Sequence, residues 1–458
     1  MANSSGGSVV KSGLTFMYDM SSDKSFKGKP TTNYAHNANP ERSGSNPLQG
    51  DTYSATGDGT WNVRHQDAIR VFSHAGTELT SHINTGVTDW TNTYHGIWTF
   101  DEELGYPVST MRDIGNGSWM YAGFGFDATI NTPTKLGLTT GSNYVISWDQ
   151  WTTNTSKSAN CGLYGQNATN TGNGFHDGLS NQAGASAFNT KTHTWQRLYA
   201  IFTVSSNRGL NATWSQYNYG HYTTRGITKV ANFQLEVGNT PSKFLYSTST
   251  GVTDSRSSTE AIVDVAGGKT ITINSLTYPD LNTFEFTSAN EDFMTFPYTQ
   301  SDPSNFTLEA WIYHTAHSTD TNIGHTITQA YSNIDGWIFG LKGTDSKLNL
   351  RQHNVSQQTS SDITYSTGLS LNTWYHVVAA CNITTDALYV NGEQVVSQSH
   401  YTGTTGVGTC SIGAWGAGAP TAGTNFAGKI PVVRIYHRGL TASEVKQNYN
   451  ASKSKYGF

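Results

Sequence analysis

Phe306-Thr307-Leu308-Glu309-Ala310-Trp311-Ile312-Tyr313 alternates aromatic and branched apolar side chains with others, the pattern of a half-buried strand. Three further runs follow it in order. Leu371-Asn372-Thr373-Trp374-Tyr375-His376-Val377-Val378-Ala379-Ala380 reads as a second strand. Ala387-Leu388-Tyr389-Val390-Asn391-Gly392-Glu393-Gln394-Val395-Val396 places Asn-Gly between two apolar runs. Both central residues of a type I′ turn need positive φ, so this is the strongest short hairpin signal a sequence carries. The fourth run extends from Phe426 to Arg438, and Gly439-Leu440-Thr441-Ala442-Ser443-Glu444-Val445 after it starts a helix. Thr441 as N-cap with Glu444 three residues on forms a capping box, and Leu440 with Val445 forms a hydrophobic staple. This helix is expected to be short and to end near Asn450.

In this order, "FTLEAWI", "WYHVVA", "LYVNGE" and "FAGKI..VRIYHRGLTASEV" resemble the laminin-G-like, concanavalin A-like lectin/glucanase jelly roll. Pro431 departs from the family pattern, standing where a residue able to donate to the sheet is usual. An edge position or a bulge is expected there.

Composition agrees with many short strands joined by turns. Charged residues are 13% of the 458, against roughly 25% in an average globular protein, while aromatics reach 12% and glycines number 47. The net charge of −5 and the lack of a Lys/Arg stripe give no case for nucleic acid. No apolar run approaches the roughly 20 residues of a membrane span. Cys161, Cys381 and Cys410 are too few, and odd in number, for a disulfide framework, and are expected as buried free thiols. Met1 to Ser8 has neither the basic nor the apolar region of a secretory signal.

Residues 1–12 read as a flexible N-terminal arm. Leu14-Thr15-Phe16-Met17-Tyr18-Asp19 then alternates like a strand, and with Ser25-Phe26-Lys27-Gly28 it resembles the opening of laminin-G-like domains in bacteriophage structural proteins. The rest of that pattern resumes only after residue 248. Between them, Asn143-Tyr144-Val145-Ile146-Ser147-Trp148, Thr194 to Val204 and Val230 to Gly238 resemble carbohydrate-binding-module β-sandwiches of phage tail and fibre proteins. The expected fold class is therefore all-β: two antiparallel β-sandwich (jelly-roll) domains, one inserted into the other, with one short C-terminal helix. The domains are 13–30 plus 249–458 for the jelly roll and 31–248 for the insert. Insertion succeeds at exposed turns where chain ends lie close, and Gly28-Lys29-Pro30 is such a turn. Leu14 to Tyr18 is expected to pair beside Val432 to Tyr436.

No catalytic residues are expected. Hydrolases of the concanavalin A-like class that cleave β-glucans carry Glu-x-Asp-x-x-Glu on one strand, which sets the carboxylates on one face. That spacing does not occur here. Asp101-Glu102-Glu103 and Glu291-Asp292 are adjacent acids and read as solvated turn residues. The fifteen histidines show no metal-ligand spacing and read as surface and turn residues. No cofactor is expected. A structural calcium is conceivable from the family, with Asp19, Asp23 and Glu236 as oxygen donors near strand ends, but no ligand set is assigned.

The informative excess is aromatic. Eight of the twelve tryptophans fall in the insert (Trp61, Trp90, Trp98, Trp119, Trp148, Trp151, Trp195, Trp214). Sugars present C–H faces that stack on indole and phenol rings. Trp148 and Trp195 lie in strand-like runs and are expected in the core. Trp61, Trp90, Tyr94 and Trp98 lie in the stretch with no clear match and are the expected glycan-binding residues, as loop aromatics are freer to stack. The resemblances imply a non-enzymatic structural protein of a tailed-phage virion: a capsid decoration, head-fibre or tail-fibre component on the virion surface. The expected partners are other virion proteins, further copies of the chain (a trimer, by analogy with fibres) and cell-surface glycans. A glycan-binding adhesion or receptor-binding protein is the alternative, and a glycoside hydrolase accessory region a third.

Overall fold

The computed structural model describes residues 8–33 and 254–458, except 300–301, 333–334, 355–358, 402–406 and 417–422. Between these it describes 69–71, 96–101, 103, 106–112, 120–124, 139, 141–153, 161–166, 189–203, 211–216 and 227–245. The chain divides into two compact units: residues through Pro30 with Arg256–Phe458, and Thr31–Ser255.

Besides a two-stranded hairpin of Thr277–Asp280 and Thr283–Glu285, the first unit holds a sandwich of two antiparallel sheets. Its strands are β1 (Leu14–Asp19), β2 (Thr272–Ser275), β3 (Phe293–Thr299), β4 (Phe306–His314), β5 (His325–Ser332), β6 (Asp335–Lys342) and β7 (Lys347–Asn354). They continue with β8 (Thr359–Gly368), β9 (Trp374–Cys381), β10 (Thr385–Val390), β11 (Glu393–Ser399), β12 (Val407–Ile412) and β13 (Gly428–Tyr436), and helix α1 is Ala442–Ser452. One sheet has the order β1-β13-β4-β9-β10-β11 and the other β2-β3-β12-β5-β6-β7-β8. Alternation sends Phe306, Leu308, Ala310 and Ile312 of β4 into one core with Phe296, Ile327, Trp337, Phe339, Leu350 and Ile412 of the opposite sheet.

Local signals fold as their chemistry dictates. Asn391 and Gly392 have φ of 52° and 79°, the type I′ geometry, and Val390 pairs with Glu393 across the two-residue turn. Thr441 accepts from the Glu444 amide, and the Glu444 side chain accepts from the Thr441 amide, so the capping box is complete. Leu440 and Val445 are buried in one cluster.

β1 pairs antiparallel with β13, Tyr18 opposite Val433 and Asp19 opposite Val432. Pro431 is therefore not on an edge strand. Trp311 pairs with Val432 but Tyr313 with Lys429, so β13 carries one extra residue across from β4 there, a bulge around Pro431. The Pro431 carbonyl still accepts from the Met20 amide at 2.8 Å. The bulge also resets the alternation, so that Ile430, Val433 and Ile435 all reach the core.

β4 differs from expectation in being buried along both faces, with only Tyr313 partly exposed. The cause is non-local: α1 and the residues after it cover the face turned away from the sandwich core.

In the second unit, Gly96–Asp101, Tyr106–Arg112, Ile227–Val237, Asn143–Thr152 and Gln196–Thr203 form a five-stranded sheet in that order. Ile69–Val71, Met120–Phe124, Asn211–Gln216 and Cys161–Gln166 form a four-stranded one. Trp148 is fully buried, with Nε1 donating to Gln150 Oε1 at 3.0 Å. Trp195 just precedes its strand and is half-buried rather than core. Asn232, at φ 55°, forms the bulge where pairing with Asn143–Thr152 jumps between Ala231 and Gln234.

Candidate functional site

The outward face of the six-stranded sheet carries the most distinctive chemistry among the described residues. Register sets Glu309 of β4 opposite Arg434 of β13, and Trp311 opposite His376 of β9. The Arg434 guanidinium pairs with Glu309 Oε1, and His376 Nε2 lies 3.0 Å from the same oxygen. Asn448 of α1 donates from Nδ2 to Glu309 Oε2 at 2.6 Å and to Tyr436 Oη at 2.9 Å. The Val10 amide donates to Asn448 Oδ1 at 2.7 Å, and Tyr436 Oη donates to the Val10 carbonyl at 3.1 Å.

Burial alone would raise the Glu309 carboxyl. Arg434, and after it His376 and Asn448, outweigh burial and hold it at about 2. Burial would correspondingly lower Arg434, and the Glu309 charge and Tyr436 keep it raised. Glu309, His376 and Arg434 are at most 1% exposed. This cluster is closed to any substrate: it ties the N-terminal segment and α1 to the sheet.

A partly exposed aromatic surface lies beside it. Trp311 is fully buried, its Nε1 donating to Ser452 Oγ at 2.9 Å, and Tyr456 stacks on it at 4.1 Å with the planes 22° apart. Trp374 packs against Tyr456 at 4.7 Å and against Tyr313 at 5.1 Å. Tyr313 and Trp374 are directly paired across β4 and β9, a cross-strand aromatic pair that stabilises the sheet and fixes both rings. Tyr313, Trp374 and Tyr456 are half-buried, Phe458 is 48% exposed, and Lys453 Nζ stands 5.6 Å from the Tyr449 ring. Rings half-seated on a rigid sheet keep a face or edge available for stacking.

Of the four expected glycan-binding residues, Trp61, Trp90 and Tyr94 lie outside the described residues. Trp98 lies within the strand Gly96–Asp101, opposite Ser109, and not in a loop. Tyr313, Trp374 and Tyr456 were not singled out by the sequence. The alternation of Trp311 and Tyr313 with the β4 core positions could have marked an outward aromatic stripe, but Tyr456 joins it only through the fold.

Two other expectations are corrected. Asp292 is not a solvated turn acid: it is fully buried, accepting from the Thr287 amide at 2.8 Å, whereas Glu291 beside it is exposed. The histidines are not all superficial, since His314, His325 and His376 are buried. Cys381 and Cys410 are buried free thiols, Cys410 pushed up to about 12 by burial. Among the described residues no three His, Cys, Asp or Glu side chains form a group able to hold a metal. The Asp19 carboxylate accepts from Ser21, and Glu236 accepts from the Ser242 amide, Gln234 and Thr31. No described helix is long and apolar enough to cross a membrane.

No curated protein matches the chain. Among solved structures, the botulinum neurotoxin serotype G binding domain is similar at 17% identity and TM-score 0.34, over 42% of this chain and 48% of that one. The binding domain of Paraclostridial Mosquitocidal Protein 1 is similar at 19% identity and TM-score 0.34, over 42% and 49%. The chain thus spans about half the length of these structures, and scores this low carry nothing from one protein to the other. Residues 288–446 match the family model described as the concanavalin A-like lectin/glucanases superfamily, and this part of the chain has the lectin-like jelly-roll fold.

Proposed function

We propose that the chain is a non-enzymatic lectin-like protein on the outside of a tailed-bacteriophage particle, with a glycan-binding face on its six-stranded sheet. The Tyr313–Trp374–Tyr456 cluster carries the glycan reading. Three partly exposed rings meet at centroid distances of 4.7 and 5.1 Å, two of them fixed on the sheet and Tyr456 on the helical turn after α1. Rigid aromatic surface binds at low entropic cost, and a sugar's C–H face is its natural complement. Nearby Lys453 supplies hydrogen-bond donors. In this proposal the 31–255 unit is a carbohydrate-binding-module-like sandwich, with Trp98, Trp61, Trp90 and Tyr94 as a second platform.

The particle reading is supported by the resemblance of both modules to phage structural proteins, and by the aromatic-rich, charge-poor composition. Subunit interface cores have that bias, and closed homo-oligomers, here a trimer alongside other virion proteins, are the default for such a chain.

The test of the glycan face is binding to a glycan array by the full chain and by the Tyr313→Ala/Trp374→Ala double variant. The expected result is at least about a tenfold loss, corresponding to about 1.4 kcal/mol, with the folded state retained. Undiminished binding by a folded double variant would reject this face, and loss on Trp98→Ala alone would move the site to the second unit. Mass spectrometry of purified particles tests the virion reading. A monomer absent from particles and abundant in the medium would indicate a secreted adhesion lectin. Reducing-sugar release abolished by replacing one Glu or Asp would refute the non-enzymatic reading.

A further inference from the structure

We propose that His314, His325 and the 315–324 loop between them form an acid-released latch at one end of the jelly roll, opened when the two buried imidazoles take up protons.

β4 ends at His314 and β5 begins at His325. His314 is 0% and His325 3% exposed. Both ring nitrogens of His314 and Nδ1 of His325 are buried without a hydrogen-bond partner. Two neutral acceptors on the same segments, Thr326 Oγ1 and Asn425 Oδ1, are also buried and unpartnered. Buried polar groups are ordinarily satisfied, so this end of the sandwich stands out against the fully engaged Glu309 carboxylate.

The charged surroundings offer no compensation. The ionisable group acting on His314 is His317, whose ring lies 6.4 Å away and whose Nδ1 meets Ser346 Oγ at 2.7 Å; His314 and His317 act on His325, and the Leu369 backbone gives the His314 ring its one favourable contact, too weak to offset burial. Asp320, in the loop, spends its carboxylate on the amides of Asn322, Ile323 and Gly324 and faces Arg351. Asp345 faces exposed His317 and pairs with Lys347. At the end of β6, Lys342 pairs with Asp362 of β8. Among the described residues, the 423–427 segment, Leu369 and Asn372 bring no charged side chain to the rings. A proton on either imidazole would therefore meet other imidazoles and, among the described residues, no paired carboxylate.

Burial first, and then the neighbouring imidazoles, hold both rings down at about 4. A released loop would titrate near 6.5, so the open form binds protons first as pH falls. The closed form is fully favoured above about 6.5 and loses that advantage progressively down to about 4.

Opening is local because the loop is tied to the rest by scattered single bonds and no strand ladder, among them Arg351 Nη2 to Asn322 Oδ1 at 3.1 Å and His317 Nδ1 with Ser346 Oγ. Thr315 donates to the Ala427 carbonyl, Thr326 to that of Thr424, and Ser318 Oγ to that of Gly423. The backbones are closely packed here: a Cβ on Gly428 would lie 2.0 Å from the Tyr313 carbonyl and one on Gly340 2.4 Å from that of His325. The flanking strands are held by antiparallel ladders and the loop is not, so the loop is the part that yields.

The test is hydrogen exchange of the intact chain at pH 7 and pH 4.5, corrected for intrinsic rates. Peptides across 315–326 are expected to exchange at least about tenfold faster at the lower pH, with β9 and β10 unchanged. The His314→Gln/His325→Phe variant should lose that dependence. Should that variant fail to fold, His317→Ala decides: removing the neighbouring imidazole, which helps hold both buried rings down, must shift opening to lower pH. Equal protection at both pH values, simultaneous opening of the whole sandwich, or unaltered pH dependence in the folded variant overturns the proposal.

Discussion

Glu309 and His314 sit on the same strand and are both fully buried, yet their surroundings are opposite. Glu309 faces outward beneath α1, where a guanidinium, an imidazole and an amide converge on its two oxygens. His314 lies at the strand's end, where no charged side chain is paired with it and only the His317 imidazole and the Leu369 backbone act on its ring. Burial opposes charge at both places. At one it is outweighed by an assembled complement, and at the other it wins and keeps the ring neutral. The comparison shows that the state of a buried ionisable group is set by what the fold brings to it.

The sharpest way to break the contrast is to remove the complement. Arg434→Met should destabilise the jelly roll by about 3–5 kcal/mol, because it leaves an unpaired buried carboxylate. Urea unfolding measures this. Adding Glu309→Leu to it should recover most of the loss, as replacing both members of a buried pair is often near neutral; no recovery would show that Glu309 has a role beyond pairing.

The two regions should also separate on a pH axis. Histidines held at about 4 cost stability as pH falls from 6.5 towards 4. Glu309, held at about 2 against an ordinary 4.5, contributes stability that is complete above about 4.5 and lost only as pH falls towards 2. A melting-temperature profile should therefore fall in two stages. His314→Gln/His325→Phe should flatten the upper one, and Arg434→Met the lower one.

Smaller effects probe the roof over the Glu309 cluster. Gly392→Ala places a Cβ at φ 79°, within 3.0 Å of Lys446 and Tyr449 of α1. A loss of about 1 kcal/mol or more is expected in thermal unfolding. Thr441→Ala removes the cap of the same helix and should cost about 1 kcal/mol, read as faster exchange of the first helical turn.

What was legible in the sequence follows from how far each signal reaches. The Asn391-Gly392 turn and the Thr441 capping box depend on neighbours within four residues, and both have the expected geometry. Pro431 announced a bulge or an edge, and the structure chose the bulge because β1 and β4 flank β13 on both sides. The pairing of Leu14–Asp19 with β13 was legible through family resemblance, not through any local rule. Among the binding candidates only Trp98 falls on a described element, and its strand position removes the loop argument made for it. The Tyr313–Trp374–Tyr456 surface went unread because it joins two strands to a residue beyond the helix.

By itself, the sequence determined the periodicities, the turn and the cap, and with them an all-β class closed by a short helix, while the jelly roll was read from family resemblance. These are local choices, decided by backbone sterics and hydrogen bonds among near neighbours. Tertiary structure alone decided which ionisable groups meet. Glu309, Arg434, His376 and Asn448 come from three strands and a helix, and nothing in their spacing foretells the register that joins them. It also decided that Asp292 is buried beside exposed Glu291, and that His314 and His325 are buried with no charged partner acting on them. Burial and charge compensation are properties of the whole packing, so adjacency along the chain could not reveal them.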